Sequence, residues 1–167
     1  TNAAASKLVI VDNVPSTIQS GISFSPAVKL QVQDEFDNPV INATFSASVS
    51  RVVGTISAIA SGTASSTLGS SFINLPSLAL TALNGSTQIS FTANIGAGVT
   101  VNSALFTVQS GLPTQLSVSP STVSVANRAT LDQIVVRVLD SAGNVVGSSA
   151  AEIQATVTGA SLNGTSV

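Results

Sequence analysis

Val28-Lys29-Leu30-Gln31-Val32-Gln33-Asp34-Glu35-Phe36-Asp37-Asn38-Pro39-Val40 reads as a strand running into a turn, and much of the chain repeats that theme. Apolar residues fall at every second position from Val28 to Val32, so Val28, Leu30 and Val32 share one face while Lys29, Gln31 and Gln33 share the other. A period of two describes a half-buried strand; a helix needs apolar residues three and four apart. Asp34 to Pro39 is turn chemistry, because Asp and Asn side chains accept bonds from nearby backbone N–H groups and proline cannot extend a ladder. A second alternation follows, with Ile41, Ala43, Phe45, Ala47 and Val49 inward and Asn42, Thr44, Ser46 and Ser48 outward. The two strands are expected to be antiparallel neighbours joined by the turn. Val32 and Phe45 are the expected core anchors, each costing about 2 to 5 kcal/mol on truncation to Ala.

The same reading extends downstream. Leu78 to Leu83, Asn84-Gly85 and Gln88 to Ala93 form a hairpin pattern, with Ile89, Phe91 and Ala93 on the buried face. Val99 to Gln109 reads as one strand, in which Ala104, Phe106 and Val108 alternate with Leu105 and Thr107. No window combines helical periodicity with caps, so the chain is expected to be all-β.

A repeat then appears. Leu30 to Val40 aligns with Val136 to Val146 at an offset of 106 residues, Lys7 to Ile10 aligns with Gln115 to Val118 at 108, and Ala43 to Val49 matches Ala151 to Val157 in pattern. A unit of about 106 residues is the size of one Ig-like β-sandwich. The expected organisation is antiparallel sandwich repeats, one complete over residues 1–110 and a second, partial one over 111–167, with the boundary at Ser110-Gly111-Leu112-Pro113. Half a sandwich exposes strand edges, so either more chain or another molecule is expected to complete the second unit.

Composition narrows function. Of 167 residues only 7% are charged, against about a quarter in ordinary soluble domains, and the net charge is -2. That field holds neither nucleic acid nor an anionic membrane surface. A mean hydropathy of +0.51 comes from alternation, since no run of about 18 apolar residues occurs, and without Trp or Tyr an outer-membrane barrel lacks its aromatic girdles. No membrane insertion is expected. Thr1 to Ser6 lacks a basic region followed by an apolar core, so a signal peptide is already removed or lies elsewhere. The chain has no Cys or His, which leaves catalysis a carboxylate pair or a Ser–Lys dyad. Lys7 and Lys29 fit exposed strand positions, and no carboxylate pair is suggested by spacing. The protein is therefore expected to be no enzyme and to need no cofactor. About a quarter Ser plus Thr, small apolar residues and few charges point to an extracellular, cell-surface location.

The pattern Val-x-Asp-x-x-x-Asn-Pro-Val at residues 32–40, its alternating sequel, and the junction Leu105-Phe106-Thr107-Val108-Gln109-Ser110-Gly111-Leu112-Pro113-Thr114-Gln115-Leu116 resemble the bacterial Ig-like repeats of invasin- and intimin-type adhesins. The resemblance covers nearly the whole chain. It implies a stalk or spacer module of a long cell-surface protein, whose partners are neighbouring repeats of the same chain or identical subunits, with export or anchoring machinery a further partner. The stretch from Ala60 to Ser71, rich in Ser, Gly and Ala, departs from the pattern and leaves its strand count open. The alternative function is a filament subunit, in which a strand such as Lys7 to Asp12 completes a neighbouring chain. A third class, a lectin-like domain, would place its site on the loops Ser61–Ser71 or Asp34–Pro39.

Several residues invite a chemical role. Asp34, Glu35 and Asp37 supply hard oxygen ligands of the kind that hold Ca2+, but the second unit keeps only Asp140 of the three, so no metal site is expected. The structural alternative is an Asx-type turn in which Asp34 and Asp140 accept backbone N–H bonds and Asn38 and Asn144 close the loop. Asn42, Asn84 and Asn163 lie in glycosylation sequons, about the number that eleven Asn among so many Ser and Thr produce by chance. Ser141, in Asp140-Ser141-Ala142, is an O-glycosylation candidate on a turn. Phe36 stands outside the core pattern, where it caps the sandwich or meets a partner.

Overall fold

The computed structural model describes residues 3–41, 43–121, 123, 133–147, 152–154 and 156. Thirteen strands and no helix occur among them. In chain order they are β1 (Ala5–Asp12), β2 (Thr17–Gln19), β3 (Val28–Asp34), β4 (Ser46–Val53), β5 (Ile56–Ala60), β6 (Thr63–Ser65) and β7 (Phe72–Leu75). After these come β8 (Ala79–Ala82), β9 (Gly85–Ala93), β10 (Val99–Asn102), β11 (Phe106–Gln109), β12 (Gln115–Ser119) and β13 (Val135–Leu139).

Two sheets supply most of the core. One has the order β1-β3-β7 and pairs Leu8 with Val32, Ile10 with Leu30, and Leu30 with Ile73. The other runs β2-β11-β9-β4-β6, with β10 lying beside β9. The period of two turns one row of each sheet inward, so Val28, Leu30, Val32 and Ile73 meet Ala47, Ile89, Phe91 and Val108 in a single buried cluster. Leu80 and Ala82 of β8, which pairs with β5, join them. Phe24 packs edge-to-face on Phe106 at 6.1 Å between ring centroids, a favoured aromatic geometry. Every buried member of this cluster lies between Leu8 and Val108, and β12 and β13 form a separate antiparallel pair beyond it. The fold is all-β and consistent with a β-sandwich.

The pairings differ from the sequence expectation in instructive ways. β3 and β4 are not neighbours: Val40 donates back to Val32, and the chain then crosses to the opposite sheet. Ile41 is consequently exposed, while Phe45 and Ala47 are buried as the alternation requires. The Asn84-Gly85 turn likewise joins no hairpin, because β8 pairs with β5 and β9 pairs with β4, β10 and β11. Both segments are apolar enough to face the core from different layers, and the turn carries the chain between them. Residues 99–109 form two strands, since Ser103 turns inward, accepts the Ile89 N–H and donates to the Ala104 carbonyl, leaving Ala104 exposed. One pairing breaks the antiparallel rule: β2 runs parallel to β11. The Ser/Gly/Ala stretch contains the short strand β6, on the edge beside β4. The strand nominated for exchange, β1, pairs with β3 of its own chain.

Phe91 is fully buried at the centre of the cluster, whereas Phe45 keeps 8% of its surface exposed. Phe91→Ala is therefore expected to cost about 3 to 5 kcal/mol and Phe45→Ala less, because a site at the rim collapses more easily around a deletion. Midpoints of urea unfolding for the two variants check the order.

Candidate functional site

Two turns of one design sit 106 residues apart. In the first, the buried Asp34 carboxylate gathers four N–H groups. Its Oδ1 accepts from the Phe36 and Asn38 backbones at 3.0 and 2.9 Å, its Oδ2 accepts from the Ala3 backbone at 3.1 Å, and the Asn38 side-chain amide donates to both oxygens. The backbone closes beneath, with Asp34 N–H on the Asn38 carbonyl and Asp37 N–H on the Asp34 carbonyl. The fourth residue must adopt a left-handed conformation, and Asp37 does so at φ 67°.

The second turn repeats the plan with one change, the Asn144 amide donating to a single carboxylate oxygen where the Asn38 amide donates to both. Asp140 Oδ1 accepts from Ala142 and Asn144, both at 2.9 Å, and Oδ2 accepts from the Gly111 backbone and the Asn144 side chain, both at 2.8 Å. Gly143 takes the left-handed position at φ 91°. Ala3 lies two residues before β1 and Gly111 four residues before β12, so each carboxylate ties the incoming chain to the far end of that strand's partner. Burial pushes both carboxyl groups up, but the N–H donors outweigh it and hold both below the ordinary 3.8.

The two turns differ in what covers them. Asn38 is exposed, whereas Asn144 is buried against the end of the first sandwich. There the Asn144 side-chain amide donates to the Ala82 carbonyl at 2.9 Å, and its oxygen accepts the Asn84 N–H at 2.7 Å. The Ser110 hydroxyl donates to the Val145 carbonyl at 3.0 Å. Behind them Ser20 is buried, its Oγ accepting from Ala82 N–H and its N–H bonding the Gln109 carbonyl, so the end of β2, the end of β8 and the linker meet at one point. Gly111 passes through that point. A Cβ there would run into the Ser20 carbonyl oxygen, which makes this position one that only glycine fills without movement. The result is a polar joint in which donors and acceptors of residues 82–84 and 110–111 are matched by those of the Asp140–Val145 turn.

The other candidate residues fall as follows. Lys7 Nζ bonds Asp37 Oδ1 at 2.7 Å and the Glu35 carbonyl at 2.9 Å, a surface pair worth about 0 to 1 kcal/mol. The oxygens of Asp34 point at N–H donors, the reverse of what a cation requires, and no group of three or more acidic residues suited to a metal occurs among the described residues. Phe36 is 69% exposed, so it does not lie over the core. Ser141 is exposed and faces Gly21. Asn84 is exposed, but its N–H belongs to the joint; Asn42 and Asn163 lie outside the described residues. A shallow groove of about 480 Å3, including Ser46, Thr63, Thr92 and Asn94, takes one residue from the loop nominated for sugar binding and has no aromatic or charged lining side chain.

Asp34, Asn38, Asp140 and Asn144 were visible as turn residues. The contacts of Asn144 with Ala82 and Asn84 were not, since a backbone acceptor on another strand carries no side-chain signal. No family model matches the chain, and no curated protein matches it. Among solved structures the chain is similar to the surface layer protein SbsC, domains 4–9, at 19% identity and a TM-score of 0.39. The match covers 86% of this chain and 21% of that one, so the chain spans about a fifth of the length of the solved chain it resembles.

Because both carboxylates lie below 3.8 in the fold, the folded chain favours their charged form, and the unfolded chain binds protons first. The stabilisation is complete above that value and drains away as the pH falls through the lower folded values. Unfolding midpoints from about pH 5 to about pH 2 are expected to drop steeply in the parent and less steeply in Asp140→Asn, as thermal melts would record.

Proposed function

We propose that this chain is a structural repeat module of a long extracellular cell-surface protein, serving as a stalk or spacer rather than a catalyst. The observation that carries the reading is the Asn144 bridge to Ala82 and Asn84, which joins one unit to the next through directed bonds. A spacer has to keep its units from folding back on one another. A linker of ordinary Gly and Pro residues would leave them free, whereas here the linker itself is clamped by Asp140 and the hydroxyl of Ser110.

The composition agrees with that role. Few charges mean little repulsion between adjacent units, and the absence of Cys leaves stability to the apolar core and the backbone ladders. The resemblance of residues 32–40 and 105–116 to bacterial Ig-like repeats supports the same assignment. Breaking the bridge leaves the Ala82 carbonyl and the Asn84 N–H without partners, a cost of about 1 to 3 kcal/mol for each group that stays buried.

The absence of Cys also makes the test clean. Spin labels at Thr63→Cys and Arg137→Cys, both exposed positions, are expected to give one narrow distance distribution that broadens when Asn144→Ala is added. A distribution already broad without that change overturns the spacer. Antibody against the chain is expected to label intact cells of the source organism; labelling only after permeabilisation overturns the surface location.

A further inference from the structure

We propose that the Asp34–Asn38 turn is an unfilled half of the same joint and docks the end of a further β-sandwich unit related to this one. The inference rests on the reading of the chain as a repeat module and names the surface through which such a module meets a second partner.

The closed joint shows what the half-joint contains. The second unit contributes a carboxylate that clamps the incoming chain, an asparagine amide presenting one donor and one acceptor, and a left-handed residue that aims it. The first unit contributes the Ala82 carbonyl and the Asn84 N–H, two residues apart on one strand end. The carboxylate, the left-handed residue, the asparagine and the clamp on Ala3 recur at Asp34, Asp37 and Asn38, with the Asn38 amide nitrogen lying against both Asp34 oxygens where that of Asn144 bonds one and turns its other hydrogen to Ala82. Only the cover is missing, and the Asn38 amide, already anchored on Asp34, is exposed where Asn144 is buried. The occupant that fits is a strand end offering a carbonyl and an N–H in the spacing of Ala82 and Asn84.

Two differences make the occupant a relative of the first unit and not an identical copy. Ala3 stands where the closed joint has Gly111, and a methyl there meets the Ser20 carbonyl of an identical end. Phe36, 69% exposed, stands where the closed joint has Ala142, so the occupant also covers an aromatic ring. The partner end therefore has its Ser20-like carbonyl set back and apolar surface beside it.

The full chain carries its own probe, because its Ala82–Asn84 end can be offered the first turn in place of the second. Ser141→Glu, Ala142→Phe, Gly143→Asp and Val145→Pro write the sequence of residues 34–40 into 140–146, and a companion chain keeps Ala142. Amide hydrogen exchange of Asn84 reads docking, and that of Gly111 reads the clamp. The companion chain is expected to hold both amides within about threefold of the parent, whereas Asn144→Ala in either background speeds Asn84 about tenfold or more. Fast Asn84 exchange in both swapped chains overturns the proposal, whether or not Gly111 stays protected. If only the chain with Ala142→Phe loses protection, the turn is a half-joint and the ring selects the partner. Adding Gly111→Ala to the companion chain is expected to release Asn84, and continued protection would overturn the exclusion of an identical copy. If Asn144→Ala leaves Asn84 unchanged in the parent, the closed joint itself fails and the spacer reading falls with it, a result distinct from failure of the swap alone.

Discussion

A buried aspartate that collects backbone N–H groups from both sides of a strand pair organises β1 with β3 and, again, β12 with β13. A carboxylate in a low-dielectric setting must have its lone pairs filled, and the available donors are the amides of its own turn and of the chain entering the unit. Satisfying Asp34 fixes Phe36, Asn38 and Ala3 together, and satisfying Asp140 fixes Ala142, Asn144 and Gly111 together. Those requirements set the start of β1 and β12 against the ends of β3 and β13, and so set the register of each pair. They also orient Asn144, whose remaining donor and acceptor then have one direction to reach.

The sandwich supplies the rigid body on which this chemistry is mounted. Its core is built from Leu, Ile, Val and Phe of modest size, interdigitated between sheets with a T-shaped pair of Phe24 and Phe106 near one edge. Because β2 runs parallel to β11, the end of the sheet brings Ser20 beside Gln109, and the exit of the chain is held before the linker begins. Junction geometry is therefore a consequence of topology and turn chemistry acting at the same place. The polar bonds across it add direction to a boundary that apolar packing alone would leave loose, since burial is indifferent to orientation.

What could be read in advance follows the range of the interaction. The alternation in Val28 to Gln33 and in Gln88 to Ala93 is local, and the structure buries Val28, Leu30, Val32, Ile89, Phe91 and Ala93 accordingly. The partners of those strands were misread where a strong local turn signal stood in for a long-range fact. Asn84-Gly85 is favourable hairpin chemistry, yet β8 pairs with β5 and β9 with β4, so the turn serves a crossing between sheets. Ala104 is another case, because the Ser103 hydroxyl found a buried backbone partner and reversed the alternation for one step. Of the joint, the side chains of Asp140 and Asn144 were legible, and the Ser20 carbonyl against Gly111 was not.

By itself the sequence determined an all-β chain, which faces of its strands are apolar, and where its two similar turns lie. These depend on residues near one another along the chain, where periodicity and turn preference act directly. The tertiary structure decided which strands pair, that the pairing of β2 with β11 is parallel, and that one of two equivalent turns is covered while the other stands open. Those outcomes depend on backbone groups of distant strands arriving at the same point, and a backbone carbonyl such as that of Ala82 has no signature in sequence until the fold brings a donor to it.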